Sequence, residues 1–213
     1  MSPTPPLALV PVRDPGRGKT RLSSVLGKEA RAALTGAMLA DVVTALHGAS
    51  LHRIVVLAGG PAAASAATAL GVDVLLDPPG DHGLNAALMA AARRIRANSS
   101  LVVPADLPLL SPEDVTELVG TAGEVVVAAT QDGGTGGLLR RPAWVIDPVY
   151  GGRSAARHLL AARQAGYSAE RADIAGFSID VDDVEDLQHV ARHPALGQVT
   201  AHVLRDIGAV HSA

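Results

Sequence analysis

A cationic loop near the start of the chain has residue types suited to binding phosphate. Residues 13–22, which read RDPGRGKTRL, combine four cations with two glycines. Arginine pairs bidentately with phosphate oxygens, and glycine lets a backbone approach a ligand closely. The loop follows the apolar run 7–12, and open α/β sheets bind ligands beyond the carboxyl ends of their strands. We predict a phosphate site, with a solvated surface loop as the alternative; the candidate ligands are Arg13, Arg17, Lys19 and Arg21.

Two acidic positions later in the chain are candidate metal ligands. Asp106 follows the apolar run 101–104 and is flanked by Pro104 and Pro108, so its carboxylate should face the ligand crevice, where it could hold Mg²⁺. Asp180 and Asp182 alternate along an expected strand, which would point both carboxylates the same way. We predict Asp106 and Asp180 as ligands. A turn cap is the alternative for Asp106, and a helix N-cap is a strong alternative for Asp182.

Three further stretches could contact a substrate. The run 133–137, GGTGG, offers backbone N–H groups and the Thr135 hydroxyl to an anion, or is equally well a hairpin turn. Residues 150–154, YGGRS, open a helix whose N-terminus favours phosphate or carboxylate, unless Ser154 is an ordinary N-cap. Asn85, at another helix start, could read a ribose or a base. His158 either faces the ligand or packs.

Composition narrows the class of protein. The chain has 213 residues, a net charge of -3 and no cysteine. A general nucleic-acid binder would carry a basic excess, and without cysteine no disulfide, thiolate metal site or cysteine nucleophile can form. The first residues lack the regions of a signal peptide, and no apolar run reaches a bilayer-spanning length. We expect a cytoplasmic enzyme with no nucleic-acid or membrane partner.

The predicted elements alternate between strand and helix. Helices are expected at 28–46, 61–70 and 84–97, and again after the cap Ser111; strands are expected at 53–58, 72–76 and 101–104. This order is typical of a doubly wound parallel sheet. A strand at 124–130, a Gly-rich turn and a second apolar stretch predict a mixed sheet edge. A helix at 154–165, a last strand within 174–181 and a helix capped by Asp182 or Asp183 complete one domain, with peripheral tails at 1–6 and from about 194.

Taken together, these motifs resemble the guanylyltransferases of deazaflavin coenzyme F-420 biosynthesis, which act on 2-phospho-L-lactate or phosphoenolpyruvate. The resemblance runs from residue 7 to about 193. Each motif alone is weak, but their order is fairly specific. The motifs are Lys19-Thr20-Arg21-Leu22, Leu84-Asn85-Ala86-Ala87, Asp106-Leu107-Pro108, Gly134-Thr135-Gly136, Tyr150-Gly151 with Ser154 and His158, and Asp180-Val181-Asp182 with Asp186-Leu187.

The resemblance implies a three-layer α/β/α fold with a mixed, mostly parallel sheet, like that of nucleotide-diphospho-sugar transferases. It implies transfer of GMP from GTP to a small phosphorylated acid, with Lys19, Arg21 and Asp106 catalytic. Asp106 and Asp180, and also Asp182, would hold Mg²⁺, and a homodimer is left open. The residues implied to hold the acid are Thr135, Gly136, Gly137, Gly151 and Ser154.

Two departures from the family pattern, and two other functions, stay open. Gly18 stands where the family usually has Ala, and Gly137 stands where related members can have a Thr, so a hydroxyl contact is missing there and the acceptor acid is undecided. Residues 18–20, Gly-Lys-Thr, match the end of a P-loop, although Arg13 occupies the place of its first glycine. A P-loop NTPase or kinase, or a non-catalytic GTP-binding module, is therefore the alternative.

Overall fold

Short apolar runs of the chain form the strands of a central sheet. The computed structural model describes residues 4–13, 19–76, 83–95 and 97–208, and in that part seven strands pair in the order β3-β2-β1-β4-β6-β5-β7. Neighbouring strands are parallel, except that β6 is antiparallel to β4 and β5. The predicted mixed, mostly parallel sheet is confirmed. The strands are β1 (Leu7–Val12), β2 (Ile54–Ala58), β3 (Asp73–Leu76), β4 (Ser100–Val102), β5 (Val125–Ala129), β6 (Thr135–Arg140) and β7 (Ala169–Ala172).

Helices cover both faces of this sheet. Helices α1 (Lys28–Gly48), α2 (Pro61–Ala69) and α4 (Pro112–Gly120) pack on one face, and α3 (Gly83–Arg94) and α5 (Ser154–Gln164) pack on the other. Because alternate strand residues point to opposite faces, Val10 joins the first core and Leu9 the second. This arrangement is the predicted three-layer α/β/α fold. Among the described helices, none is long and apolar enough to cross a membrane.

The antiparallel strand β6 begins earlier than the sequence pattern predicts. The Thr130 N–H donates to the Gly134 carbonyl oxygen at 3.1 Å, so the turn occupies residues 131–134. Thr135 and the two glycines after it, predicted to lie in a Gly-rich turn, are instead the first residues of β6. This strand also lies inside the sheet, between β4 and β5, rather than at an edge.

The predicted last strand at 174–181 is wrong. The strand at this end of the sheet is β7, whose Glu170 and Arg171 are exposed, so it lacks the apolar signal of a buried strand. The buried Ile174 and Phe177 that suggested a strand belong to a 3-10 turn at Ala175–Phe177 and its N-cap. Residues 179–182 belong to neither a strand nor a helix. The strand-alternation argument for the two acids at 180 and 182 therefore does not apply.

Two helices near the C-terminus pack onto α1. Helix α6 (Val184–Val190) begins at a capping box in which the Asp183 carboxylate accepts from the Asp186 N–H at 3.1 Å, so Asp183 and not Asp182 is the cap. Helix α7 (Gln198–Asp206) has a buried Leu204, and Asp41 of α1 accepts from the Thr200 N–H at 2.8 Å. The stretch predicted to be a peripheral tail thus contributes a packed helix, whose N-terminal N–H groups are satisfied by a side chain of another helix.

Candidate active site

Lys19 lies at the centre of a charged cluster beyond the carboxyl ends of β1 and β4. Its ammonium donates to Asp106 Oδ2 at 2.6 Å and to Asp182 Oδ1 at 3.1 Å. Its backbone is left-handed, with φ of 53°, a conformation uncommon for a residue with a side chain. Burial alone would lower the pKa of Lys19, but the charges of Asp106 and Asp182 outweigh it and raise the pKa above its usual value. Lys19 is therefore a fixed positive charge.

Asp106 is positioned by the sheet on one side and by the second acidic segment on the other. The chain leaves β4 at Val103, whose N–H donates to the Leu9 carbonyl oxygen at 3.0 Å. The Asp106 carbonyl oxygen accepts from the Val181 N–H at 3.1 Å, which ties the segments around residues 106 and 181 together. The second carboxylate oxygen, Oδ1, is buried and has no hydrogen-bond partner among the described residues.

The 3-10 turn at 175–177 places Asp180 and Asp182 beside Asp106. The carboxylate of Asp114, which also caps α4, accepts from the Gly176 N–H at 3.3 Å. A Cβ on Gly136 would overlap the carbonyl oxygen of Phe177, so β6 and the turn can approach this closely only because residue 136 is glycine. Downstream, the Asp182 N–H donates to Asp186 at 2.9 Å. The segment carrying the two acids is held at both ends.

Four carboxylates concentrate negative charge at this site. Burial first, and then the nearby charges of Asp106, Asp182 and Asp132, raise the pKa of Asp180 to about 7. Asp132, in the turn before β6, has its own pKa lowered, chiefly by a hydrogen bond from Thr130. Like charges held together disfavour ionisation unless a cation joins them. The arrangement thus suits a ligand that brings positive charge to Asp180.

The residues present fit a hard divalent cation. Carboxylate oxygens are its preferred ligands, and the Oδ1 of Asp106, buried and without a partner in the part of the chain that the structure describes, is a ready donor. Within the described residues no group of three or more acidic or histidine side chains is close enough to form a complete metal site. That is compatible with Mg²⁺, which usually takes one or two carboxylates and completes its shell with water and substrate phosphate.

A second polar group lies where β6 and α5 meet. The hydroxyls of Thr135 and Ser154 are 2.9 Å apart, and Thr135 Oγ1 is 3.1 Å from His158 Nδ1. All three residues are buried. Gly151, which precedes α5, has φ of 123°, a conformation that favours glycine. In the first turn of α5 the Ala155 N–H donates to the Gly133 carbonyl oxygen at 3.3 Å, and the positive end of the helix dipole still favours an anion at this position.

Asn85 holds the loop before α5 through its side-chain amide. Its Nδ2 donates to the Tyr150 carbonyl oxygen at 3.1 Å, and its Oδ1 accepts from the Tyr150 N–H at 2.7 Å. Both ends of the amide are engaged by one backbone residue. The amide thus positions the loop leading to Gly151, and because it has a second N–H and a second oxygen lone pair, the substrate contact predicted for Asn85 stays a prediction.

The other predicted site residues are three arginines of the cationic loop and two glycines of β6. Arg17 lies outside the described residues, whereas Arg13 and Arg21 are exposed on either side of that gap. A Cβ on Gly137 would come within 2.6 Å of Leu118 Cδ2, so this glycine allows close packing of β6. Gly136 and Gly137 therefore have a packing reason to be glycine that is independent of any ligand.

Two contributors to the site were missed by sequence reasoning. Asp132 adds charge near Asp180, and Asp114 anchors the turn that carries the acids. Asp132 has a local signal, because Asp before two glycines is typical of a turn. Asp114 was predicted only as part of a helix cap. Its second contact, 62 positions along the chain, has no sequence signature.

The chain is a nucleotidyltransferase, as its family match and its relatives show. A solved structure from Desulfovibrio desulfuricans G20, described as a "putative nucleotide-diphospho-sugar transferase", has the same fold, with a TM-score of 0.74 at 19% identity over 95% of both chains. Residues 7–212 match the family model described as "Guanylyl transferase CofC like". The chain belongs to this family.

Three relatives indicate how the family divides. A phosphoenolpyruvate guanylyltransferase from Roseiflexus castenholzii is 36% identical, over 88% of each chain. A 3-phospho-D-glycerate guanylyltransferase from Phenylobacterium zucineum is 37% identical, over 94% of this chain and 95% of the relative. A 2-phospho-L-lactate guanylyltransferase from Methanothermobacter thermautotrophicus is 33% identical, over 87% and 84%. These relatives share guanylyl transfer and differ in the acid.

Proposed function

We propose that this protein transfers GMP from GTP to the phosphate of a small phosphorylated acid and releases pyrophosphate. The observation that carries the proposal is Lys19 held between Asp106 and Asp182, with the raised pKa of Asp180 beside them. Such a cluster suits a cation-bound triphosphate. The relatives named above all carry guanylyltransferase names, and a role in coenzyme F-420 biosynthesis is part of the same proposal.

The chemistry needs positioning and charge neutralisation more than covalent help. The acceptor's phosphate oxygen attacks the α-phosphorus of GTP, the bond to the β-phosphate oxygen breaks, and pyrophosphate carries away the electron pair. Because the attacking phosphate is already ionised, no general base is required. Lys19 would neutralise triphosphate charge, with Arg21, Arg13 and Arg17 contributing from the loop. The buried ammonium of Lys19 stays charged throughout, since its pKa is raised.

Mg²⁺ is part of this proposal, held by Asp106 and Asp180, with Asp182 nearby. When bound, it would neutralise charge on phosphoryl oxygens. Lys19 contacts two of the same acids, so the lysine and the cation would share them. The acids' function in the reaction would then be to fix both positive charges at one place.

The acid would bind at the second polar group. Thr135 and Ser154 offer hydroxyls, Gly151 leaves room for a backbone contact, and α5 presents its N-terminus. Phosphoenolpyruvate is the acid we propose first, because five further relatives at 31–39% identity carry that name. 2-Phospho-L-lactate differs from it in having a single bond in place of the C2–C3 double bond, and 3-phospho-D-glycerate carries its phosphate on C3 and a hydroxyl on C2.

An acceptor panel tests this function. The protein is incubated with GTP or ATP, Mg²⁺ and each of the three acids, and pyrophosphate release and product mass are measured. We expect pyrophosphate only with GTP and an acid, and a product containing GMP joined to that acid. Orthophosphate or GDP formation would instead support the P-loop alternative, and GTP binding without any product would support a binding module.

Variants of the cluster test the site. Asp106→Asn and Lys19→Ala should each lower kcat/KM about 10²- to 10³-fold, the usual effect of losing one preorganised charge contact. Asp206→Asn is the matched control, because it removes a carboxylate from an exposed ion pair with His202 on α7. Near-normal turnover by a folded Asp106→Asn protein would contradict the assignment.

A further inference from the structure

A buried histidine lies behind the two hydroxyls of the second polar group. His158, on α5, has no exposed surface, and it connects three parts of the chain. Its Nδ1 is 3.1 Å from Thr135 Oγ1 of β6, and its Nε2 accepts from the Val149 N–H at 2.9 Å. The edge of its ring also meets the Tyr150 ring, with centroids 5.0 Å apart. Both ring nitrogens are therefore engaged.

The contact with Val149 fixes which nitrogen of His158 carries the proton. A backbone N–H can only donate, so Nε2 must offer its lone pair, and a neutral imidazole must then carry its proton on Nδ1. Thr135 consequently accepts from His158 and cannot donate to it. The Ser154 carbonyl oxygen is also near the imidazole and favours the protonated form, which agrees with a donor at Nδ1.

The environment keeps His158 neutral. Burial first, and then the charges of Arg140 and Arg157, lower its pKa to about 4. Arg140, on β6, is itself buried, which lowers its pKa, and the charges of Tyr150 and Asp147 oppose that effect. Above about pH 5 the His158 ring is therefore neutral and keeps a single proton. The direction of its hydrogen bond to Thr135 does not change over that range.

This direction decides how many protons the hydroxyl pair can offer a ligand. Thr135 and Ser154 have two hydroxyl protons, and their mutual hydrogen bond uses one. If Nδ1 were an acceptor, Thr135 would give its proton to it, Ser154 would donate to Thr135, and none would remain. Because Nδ1 donates, one proton stays free. An anionic ligand needs such a donor.

We propose that His158 is a positioning residue for the acid substrate: by donating from Nδ1 to Thr135, it orients the Thr135–Ser154 pair so that one hydroxyl proton faces the acid. This inference rests on the proposed function, because it assigns the acid to that pair. It predicts an effect on the acid and not on GTP, whose proposed phosphate ligands lie around Lys19 and Asp106.

Two substitutions test the roles of the two ring nitrogens of His158 separately. In His158→Asn the amide can reach the Nδ1 position and keep a donor for Thr135, while the acceptor for Val149 is lost. In His158→Gln the amide reaches the Nε2 position, so Val149 keeps its acceptor and Thr135 loses its donor. We expect His158→Gln to raise the KM for phosphoenolpyruvate roughly fivefold, the value of one neutral hydrogen bond. His158→Asn should raise that KM much less than His158→Gln does. The KM for GTP should stay unchanged in both variants.

A double-mutant cycle shows whether His158 acts through the Thr135 hydroxyl. Thr135→Val removes the hydroxyl with little change of shape, so adding His158→Gln should then have no further effect on the KM for phosphoenolpyruvate. An effect of His158 that does not pass through Thr135 would make the two effects on KM additive, and a role in folding alone would leave the KM unchanged. Thermal unfolding of each variant identifies loss of stability, and ¹⁵N NMR of the wild-type protein should show His158 protonated at Nδ1.

Several outcomes would overturn the inference. They are an Nε2-protonated His158, an unchanged KM for the acid in His158→Gln, equal losses in the Gln and Asn variants, and additive effects in the cycle. Failure of the proposed function would look different, because wild-type protein would then form no GMP–acid product. The NMR result would still test the hydrogen-bond direction in that case.

Discussion

Replacing Asp180 by asparagine should stabilise the protein while removing its activity. The pKa of Asp180 is raised from 3.8 to about 7 in the fold, first by burial and then by Asp106, Asp182 and Asp132. Between pH 3.8 and about pH 7, Asp180 is protonated in the folded protein and ionised in the unfolded chain. The group's contribution to stability is therefore full below about pH 4 and is lost as pH rises to about 7. Asparagine has no charge, so at this position it avoids the free-energy cost of an ionised carboxylate that is buried among other acids.

The size of the effect follows from the shift. About three units at roughly 1.4 kcal/mol each set an upper bound near 4 kcal/mol above pH 7. Asp180 is only partly buried, so solvent screening should reduce this to about 1–2 kcal/mol. For a chain of 213 residues that is roughly 3–6 °C in Tm. At pH 5 about one third of the difference should be present.

The assay is thermal unfolding of Asp180→Asn and wild-type protein, without ligand, from pH 5 to pH 8. The Tm difference should grow with pH and level off above about pH 7.5, and Asp206→Asn should show no comparable trend. Mg²⁺ favours the ionised carboxylate, so at pH 8 it should raise the Tm of wild-type protein more than that of Asp180→Asn. A lower Tm for Asp180→Asn at pH 8, or a difference that does not change with pH, would refute this account of the site.

Three further substitutions test the framework of the fold. Gly136→Ala should destabilise the protein by about 1–3 kcal/mol through overpacking against the Phe177 carbonyl, and it should lower kcat because it displaces the segment carrying Asp180. Gly36→Ala in α1, where a Cβ meets nothing within 4 Å, should instead stabilise the protein by up to about 1 kcal/mol. Equal Tm values for the Gly136→Ala and Gly36→Ala variants would contradict both expectations. Ser111→Ala should cost about 1 kcal/mol in urea unfolding through loss of the α4 cap, and no change would mean that Asp114 alone suffices.

Much of the framework could be predicted from local patterns. Buried parallel strands are short apolar runs, so β1, β2 and β5 were placed within a residue or two of their bounds. The caps Ser111 and Asp183 follow from side chains that satisfy N–H groups a few positions away. The strand at 174–181 failed because burial there comes from a 3-10 turn, while the true edge strand β7 is polar.

The sequence by itself determined the fold class, the family and the residue types of the site, because each is written in short motifs and in their order along the chain. Only the tertiary structure decided which groups meet. Lys19 reaches Asp182 across 163 positions, and Asn85 binds the Tyr150 backbone across 65 positions. His158 donates to Thr135 because Val149 occupies its other nitrogen. These contacts depend on packing between distant elements, and no local pattern of hydrophobicity or charge encodes the direction of a hydrogen bond.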